Sequence, residues 1–191
     1  MREAYFHEDD YRQIEVLPLD NFGYCQQEIG EIEKSSAENF DGYGFKDIYV
    51  REENPSHLGA MNIRVSEIEE ALEKILPKFD VVYTGYSSYK EKCKGLNAFG
   101  RDQGERIFFE HNEGIVTSIW VSDPFNELID LPHSEKLLFV DWAWGFVCPL
   151  KEKEHFIEYI KDRDTQIEES LEKMRALHPQ KSAKKPRWKF W

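Results

Sequence analysis

Leu137–Leu150 reads LLFVDWAWGFVCPL and is the most apolar stretch of the chain. It is shorter than the roughly 20 residues an apolar helix needs to cross a bilayer. It is also too rich in Val, Phe and Trp for a comfortable water-soluble helix. The reading that remains is a strand pair, or one bent central strand with Gly145 supplying the bend. In an extended strand Trp142 and Trp144 project to the same side, opposite to Asp141, Ala143 and Gly145. The two rings then either close the core or form an aromatic surface for a partner. Asp141 inside such a run needs a hydrogen-bond or charge partner.

Working upstream, Ile107–Glu110 and Ile115–Val121 flank His111-Asn112-Glu113-Gly114, whose glycine suits a hairpin turn, and Asp123-Pro124 ends the second strand. Residues 11–17 read as a strand that stops at Pro18. From Asp20 onward Phe22, Cys25, Ile29 and Ile32 recur at helical spacing, and the helix is expected to give out near Ser35 and Ser36. Phe45–Val50 reads as a strand. A second helix carries Val65, Ile68, Leu72, Ile75 and Phe79 on one stripe, opens on a Ser66/Glu69 capping box and is stopped by Pro77. Asp80–Tyr86 reads as a strand, and 87–104, with Lys90, Lys92, Lys94 and Arg101, as a long surface loop.

Downstream, 151–178 is expected to be a long helix with Phe156, Ile160, Ile167, Leu171 and Met174 on its apolar face. Asp164 interrupts the rhythm, which predicts a kink or two shorter helices. The expected fold class is α+β: a single domain with a mainly antiparallel sheet, two or three helices on one face and a long C-terminal helix. Residues 1–150 form the core, 151–178 the helix, and 179–191 a flexible basic-aromatic tail. Helices on one face leave the other for water or a partner.

The chain is 40% hydrophobic and 32% charged, with a formal charge of −12. All 37 acids lie in residues 1–178, whereas the last thirteen residues carry five bases and no acid. Such a body repels phosphate backbones and anionic lipid and attracts cationic surfaces, so neither nucleic acid nor membrane is expected as its partner. The acid-rich N-terminus does not read as a secretory signal, and a cytoplasmic location is expected.

No specific catalytic signature is present. The phosphate-cradling glycine loops, a nucleophile elbow and metal-spaced histidines are all missing from the sequence. His7-Glu8-Asp9-Asp10 lacks the glycine and spacing of a calcium loop, and no metal or other cofactor is expected. Cys25 and Cys148 read as buried thiols, with no disulfide framework. Cys93, His111 and Asp123 could be assembled as a nucleophile set only on paper.

A small, strongly acidic chain without a catalytic motif resembles, in this general profile, the bacterial immunity proteins that neutralise toxins by occlusion. The resemblance lies in composition and not in alignable motifs. It implies a cognate toxin or other basic protein as partner, bound through Glu31, Glu67, Glu70 and Glu73, with Asp9 and Asp10 in support and Trp142 and Trp144 as aromatic anchors. A monomer or homodimer is expected. The alternative is a small enzyme acting on a small or nucleotide-like substrate, with Asp141, His111 and Glu110 as its acid-base set. A third reading is an adaptor whose final helix pairs with another subunit.

Overall fold

A computed structural model describes the chain except for residues 43, 45, 48, 52, 53, 55, 86–88, 102, 103 and 178–191. Nine strands and three α-helices are formed by the described residues: β1 (Glu3–His7), β2 (Ile14–Pro18), α1 (Phe22–Asn39), α2 (Val65–Leu72), β3 (Val81–Gly85), β4 (Glu91–Lys92), β5 (Leu96–Gly100), β6 (Arg106–Asn112), β7 (Ile115–Val121), β8 (Leu137–Asp141), β9 (Phe146–Pro149) and α3 (Lys153–Leu177). The fold is α+β. A six-stranded antiparallel sheet has the order β5-β6-β7-β2-β8-β9, and a second sheet has the order β1-β3-β4 with β1 and β3 parallel.

The apolar run at 137–150 is a strand pair. β8 and β9 form a hairpin in which Phe139 faces Cys148 and Asp141 faces Phe146, and Gly145, at φ +60°, makes the turn. β2 sits between β7 and β8, so all five of its residues are buried. Pro18 is tolerated there as the last residue of the strand. The strand starts later than expected, because Glu8–Asp10 form a 3-10 turn and Arg12 adopts φ +56°.

Strand alternation divides the core in two. One face of the large sheet presents Val16, Ile107, Phe109, Ile119 and Phe139 to Ile68 and Leu72 of α2 and Phe156 of α3. The Phe139 and Phe156 rings meet edge-on at 4.8 Å, a geometry worth about 0.5–1.5 kcal/mol beyond the area buried. The other face, expected to meet water or a partner, is covered by the chain itself. Over β5, β6 and β7 the small sheet packs Ala4 and Val82, with Phe79 just before β3, against Ala98, Phe108 and Trp120. Over β2, β8 and β9 lies α1, with Cys25 and Ile29 on Leu17, Leu138, Val140 and Trp142.

Several expectations are corrected. Residues 87–104 are not one loop: they contain β4 and β5, and Ala98 and Phe99 are fully buried. β5 is short and bounded by Gly95 and Gly100, which leaves little apolar alternation to read. The expected strand at 45–50 does not form in its described part: Lys46 and Asp47 bend, Tyr49 and Val50 are irregular, and Phe45 and Ile48 lie outside the described residues. α1 runs on to Asn39, whose amide donates to Ser35 Oγ.

In α2 the N-cap is Arg64 and not Ser66, which sits inside the first turn, so no capping box forms. Helix α2 also ends at Leu72, and in the turn that follows it Leu76 is buried where Ile75 was expected, Ile75 being exposed. α3 is one continuous helix through Asp164. Its N-terminal part packs through Phe156, Tyr159 and Ile160, whereas 168–175 are exposed. The expected basic-aromatic tail lies outside the described residues.

Candidate binding site at the β8–β9 turn

Two carboxylates are buried at the same end of the central strands, one on each face. Glu15 of β2 pairs with Val140 and therefore faces α1; Asp141 pairs with Ile14 and faces α3. Burying a carboxylate costs several kcal/mol unless charge and hydrogen bonds replace its hydration. Both are compensated.

Glu15, 1% exposed, accepts from Arg12 Nε at 2.5 Å, Arg51 Nη2 at 3.0 Å and Trp142 Nε1 at 2.9 Å. Arg51 also lies 4.0 Å over the Trp142 ring and donates to Asn54 Oδ1. Burial works to lower the pKa of Arg12, but Glu15 outweighs it and the guanidinium is held above its ordinary value. Burial, followed by the charge of Glu15, pushes the neighbouring Cys25 thiol up to about 12.

Asp141 is fully buried and accepts from Tyr159 OH at 2.7 Å and from the backbone N–H of Trp144 at 3.1 Å. Arg163 Nε stands 3.5 Å from the same carboxylate, and Arg163 also pairs with Asp123 at 3.4 Å. Burial first, then the hydrogen bond to Asp141, raises the Tyr159 phenol far above its usual range, so it remains a donor. Burial likewise raises Asp123, against the opposing charge of Arg163. The tyrosine ring stacks on Phe146 at 3.8 Å, nearly parallel.

This network fixes the turn that carries the two tryptophans, and it separates them. Residues 142–145 form a turn and not a continuing strand, so the expected same-side projection is overturned. Trp142 is buried against α1, whereas Trp144 is 38% exposed beside α3, with Arg163 over its ring at 5.4 Å. Among the described tryptophans Trp120 and Trp142 are buried and Trp144 is open. It borders a hollow of about 350 Å³ whose aromatic wall is Trp144, Phe146 and Tyr159 and whose polar rim sets Glu158, Asp162 and Gln166 beside His155 and Arg163. Large amphipathic rings beside carboxylates are suited to a cationic side chain.

The other anticipated residues are dispersed. Glu31 is exposed on α1, on one side of the large sheet, while Glu70 and Glu73 are exposed on the other, where α2 packs. Glu67 contacts His133 Nε2 at 3.1 Å, and this hydrogen bond lowers its pKa. Asp9 and Asp10 are exposed in the 3-10 turn after β1, with Asp9 3.2 Å from His7.

Asp141, Glu110 and His111 do not converge. Glu110 faces Ser118 on β7, three strands from β8 at roughly 4.8 Å per step, and is bonded to Tyr11. Asp141 is committed to Tyr159, Trp144 and Arg163, which leaves it no access to a substrate proton. Nor do Cys93, His111 and Asp123 meet: Cys93 is tied by its backbone to Val82, His111 to Gly95, and Asp123 pairs with α3. Among the described residues no group of three or more His, Cys, Asp or Glu is arranged to hold a metal ion, and no helix is long and apolar enough to cross a membrane.

Sequence reasoning singled out Asp141 but missed Glu15, Arg51, Tyr159 and Arg163. A carboxylate inside the apolar Ile14–Leu17 run, three residues after Arg12, was the available signal for Glu15; Arg51 lies 36 residues from Glu15 and carries no local signal. The chain matches none of the protein families, curated proteins or solved structures with which it was compared.

Proposed function

We propose that the chain is a non-catalytic binding protein that captures a basic protein and occludes its active surface, in the manner of an immunity protein neutralising a cognate toxin. The observation that carries this reading is the exposed Trp144, held beside Glu158 and Asp162 by a turn anchored on the buried Asp141. A rigid aromatic anchor loses little conformational entropy on binding, and adjacent carboxylates supply complementary charge. The net charge of −12 adds long-range attraction that accelerates encounter with a cationic partner. Glu31, Glu67, Glu70, Glu73, Asp9 and Asp10 then contribute to this field, while the contact centres on the β8–β9 turn and α3. Trp142 supports that turn from beneath.

The test uses the protein encoded by the adjacent reading frame, titrated calorimetrically at two salt concentrations. The reading expects a one-to-one complex whose affinity falls with salt, and at least a tenfold loss in Trp144→Ala, consistent with about 1.4 kcal/mol per tenfold. Charge reversal in Glu158→Lys with Asp162→Lys slows association. A complex indifferent to all three substitutions, or no complex at all, overturns it. Turnover of a small substrate by the purified chain would favour the enzyme reading instead.

A further inference from the structure

A second hollow, of about 300 Å³, lies on the other side of the large sheet from α3, where the Glu8–Asp10 turn meets the β4–β5 connection. Its volume is at the lower end of the roughly 300–1,000 Å³ found for small-molecule pockets. Phe6, Leu96 and Tyr11 form apolar walls. Behind them Trp120 stands edge-on to Tyr11 at 5.0 Å and to Phe6 at 5.7 Å. The charged lining is two carboxylates, Glu8 and Glu110, against the single cation Lys94.

Three further observations give the hollow its chemistry. Glu110 Oε1 accepts from Tyr11 OH at 3.1 Å, which orients the carboxylate and leaves its second oxygen unengaged among the described residues. Thr84 Oγ1, on the lining, is buried without a hydrogen-bond partner among the described residues, and its oxygen can accept from a cationic donor. Buried polar groups without a partner are uncommon enough to require an explanation. The local field is negative: burial, then Glu91 and Glu110, raises the Cys93 thiol, and burial, then Glu110, raises the Tyr11 phenol against the opposing Arg12.

We propose that this hollow binds a small primary amine, its ammonium placed between Glu110 and Glu8 and its apolar body against Phe6, Leu96 and Tyr11. Aromatic faces and carboxylates both favour a cation, and the apolar walls favour a body of about one ring. An anionic ligand of the same shape would meet Glu8 and Glu110 at close range and is rejected. None of the residues invoked belongs to the hollow beside Trp144, so this site stands or falls separately from the capture of a basic protein.

The experiment titrates phenethylamine, phenylacetate and 2-phenylethanol, three probes sharing one body, into the full chain, followed by ¹H–¹⁵N NMR including the indole N–H resonances. Phenethylamine is expected to give saturable shifts that include Trp120, and phenylacetate to bind at least tenfold more weakly. Glu110→Gln is expected to weaken the amine at least tenfold. Glu8→Gln, an exposed and structurally undemanding change, is expected to weaken it several-fold. Leu96→Trp, which fills the hollow, is expected to abolish binding with the circular dichroism spectrum retained. Equal affinity for amine and carboxylate, shifts confined to other residues, absence of saturation, or an unchanged affinity in Glu8→Gln and Leu96→Trp overturns the proposal.

Discussion

Asp141→Ala is the most informative single substitution in the protein. The carboxylate has no solvent exposure; it accepts hydrogen bonds from the Tyr159 hydroxyl and the Trp144 amide and forms an ion pair, without a hydrogen bond, with Arg163 Nε at 3.5 Å. Hydrogen bonds to a charged group contribute about 1.5–3 kcal/mol each in isolation, but they share one acceptor and do not add. Removing one member of a buried pair costs about 3–5 kcal/mol, because the partner is left charged and dry. Arg163 is only 11% exposed, although Asp123, itself about half exposed, remains to hold it. The expected loss is therefore about 3–4 kcal/mol, near the lower end of that range. At about 2–4 °C per kcal/mol for a chain of this size, that lowers Tm by roughly 6–16 °C. Urea unfolding followed by circular dichroism, with an unchanged m-value, measures it. The control Asp123→Ala, at the partly exposed end of the same pair, is expected to cost about 1 kcal/mol or less. A loss below about 1 kcal/mol for Asp141→Ala would refute the argument that this carboxylate organises the turn.

Glu15→Ala should destabilise the chain by about 3–5 kcal/mol and quench or shift Trp142 emission; a cycle with Arg51→Ala tests whether their coupling exceeds about 1 kcal/mol. The Cys25 and Cys148 thiols, both buried and pushed up to about 12, should not react with Ellman's reagent in the native state, so that only the half-buried Cys93 titrates, slowly. The same two thiols predict the alkaline stability profile. Their folded values lie above the unfolded value of roughly 8.5, so their contribution is complete below that pH and is lost progressively as pH rises toward about 12. Urea midpoints that stay flat from pH 8 to 11 would contradict it. Gly85→Ala should cost about 1–3 kcal/mol or more, since Gly85 adopts φ +125° and a Cβ there would collide with the Tyr89 carbonyl; melting temperature reports the loss.

The parts of the fold that sequence disclosed are those written in local periodicity. The Ile107–Val121 hairpin, the bend at Gly145 and the stripe of Cys25 and Ile29 each depend on residues within a few positions of one another. What escaped was set by tertiary partners. β5 is recognisable as a strand only because β6 pairs with it, and its side chains alternate too briefly to announce it. The small sheet that covers Phe108 and Trp120 joins segments 78 positions apart through β1 and β3, a pairing no local pattern encodes. The site shows the same division. Asp141 was conspicuous as a charge inside an apolar run, whereas Tyr159 and Arg163 looked like ordinary positions on an amphipathic helix. Trp142 and Trp144 share one side only in a continuing strand, and here a four-residue turn intervenes.

The position of β2 constrains the order in which the chain can be completed. Ile14–Pro18 are synthesised well before both of their ladder neighbours, Ile115–Val121 and Leu137–Asp141, which appear about a hundred residues later. At roughly 5–20 residues per second the strand waits several seconds with its amides unpaired and its apolar side chains wet. Loop closure over that span makes the final docking slow compared with helix formation. A nascent chain arrested before Leu137 therefore exposes an open edge at its centre, and such fragments are expected to aggregate or engage chaperones where the finished protein does not.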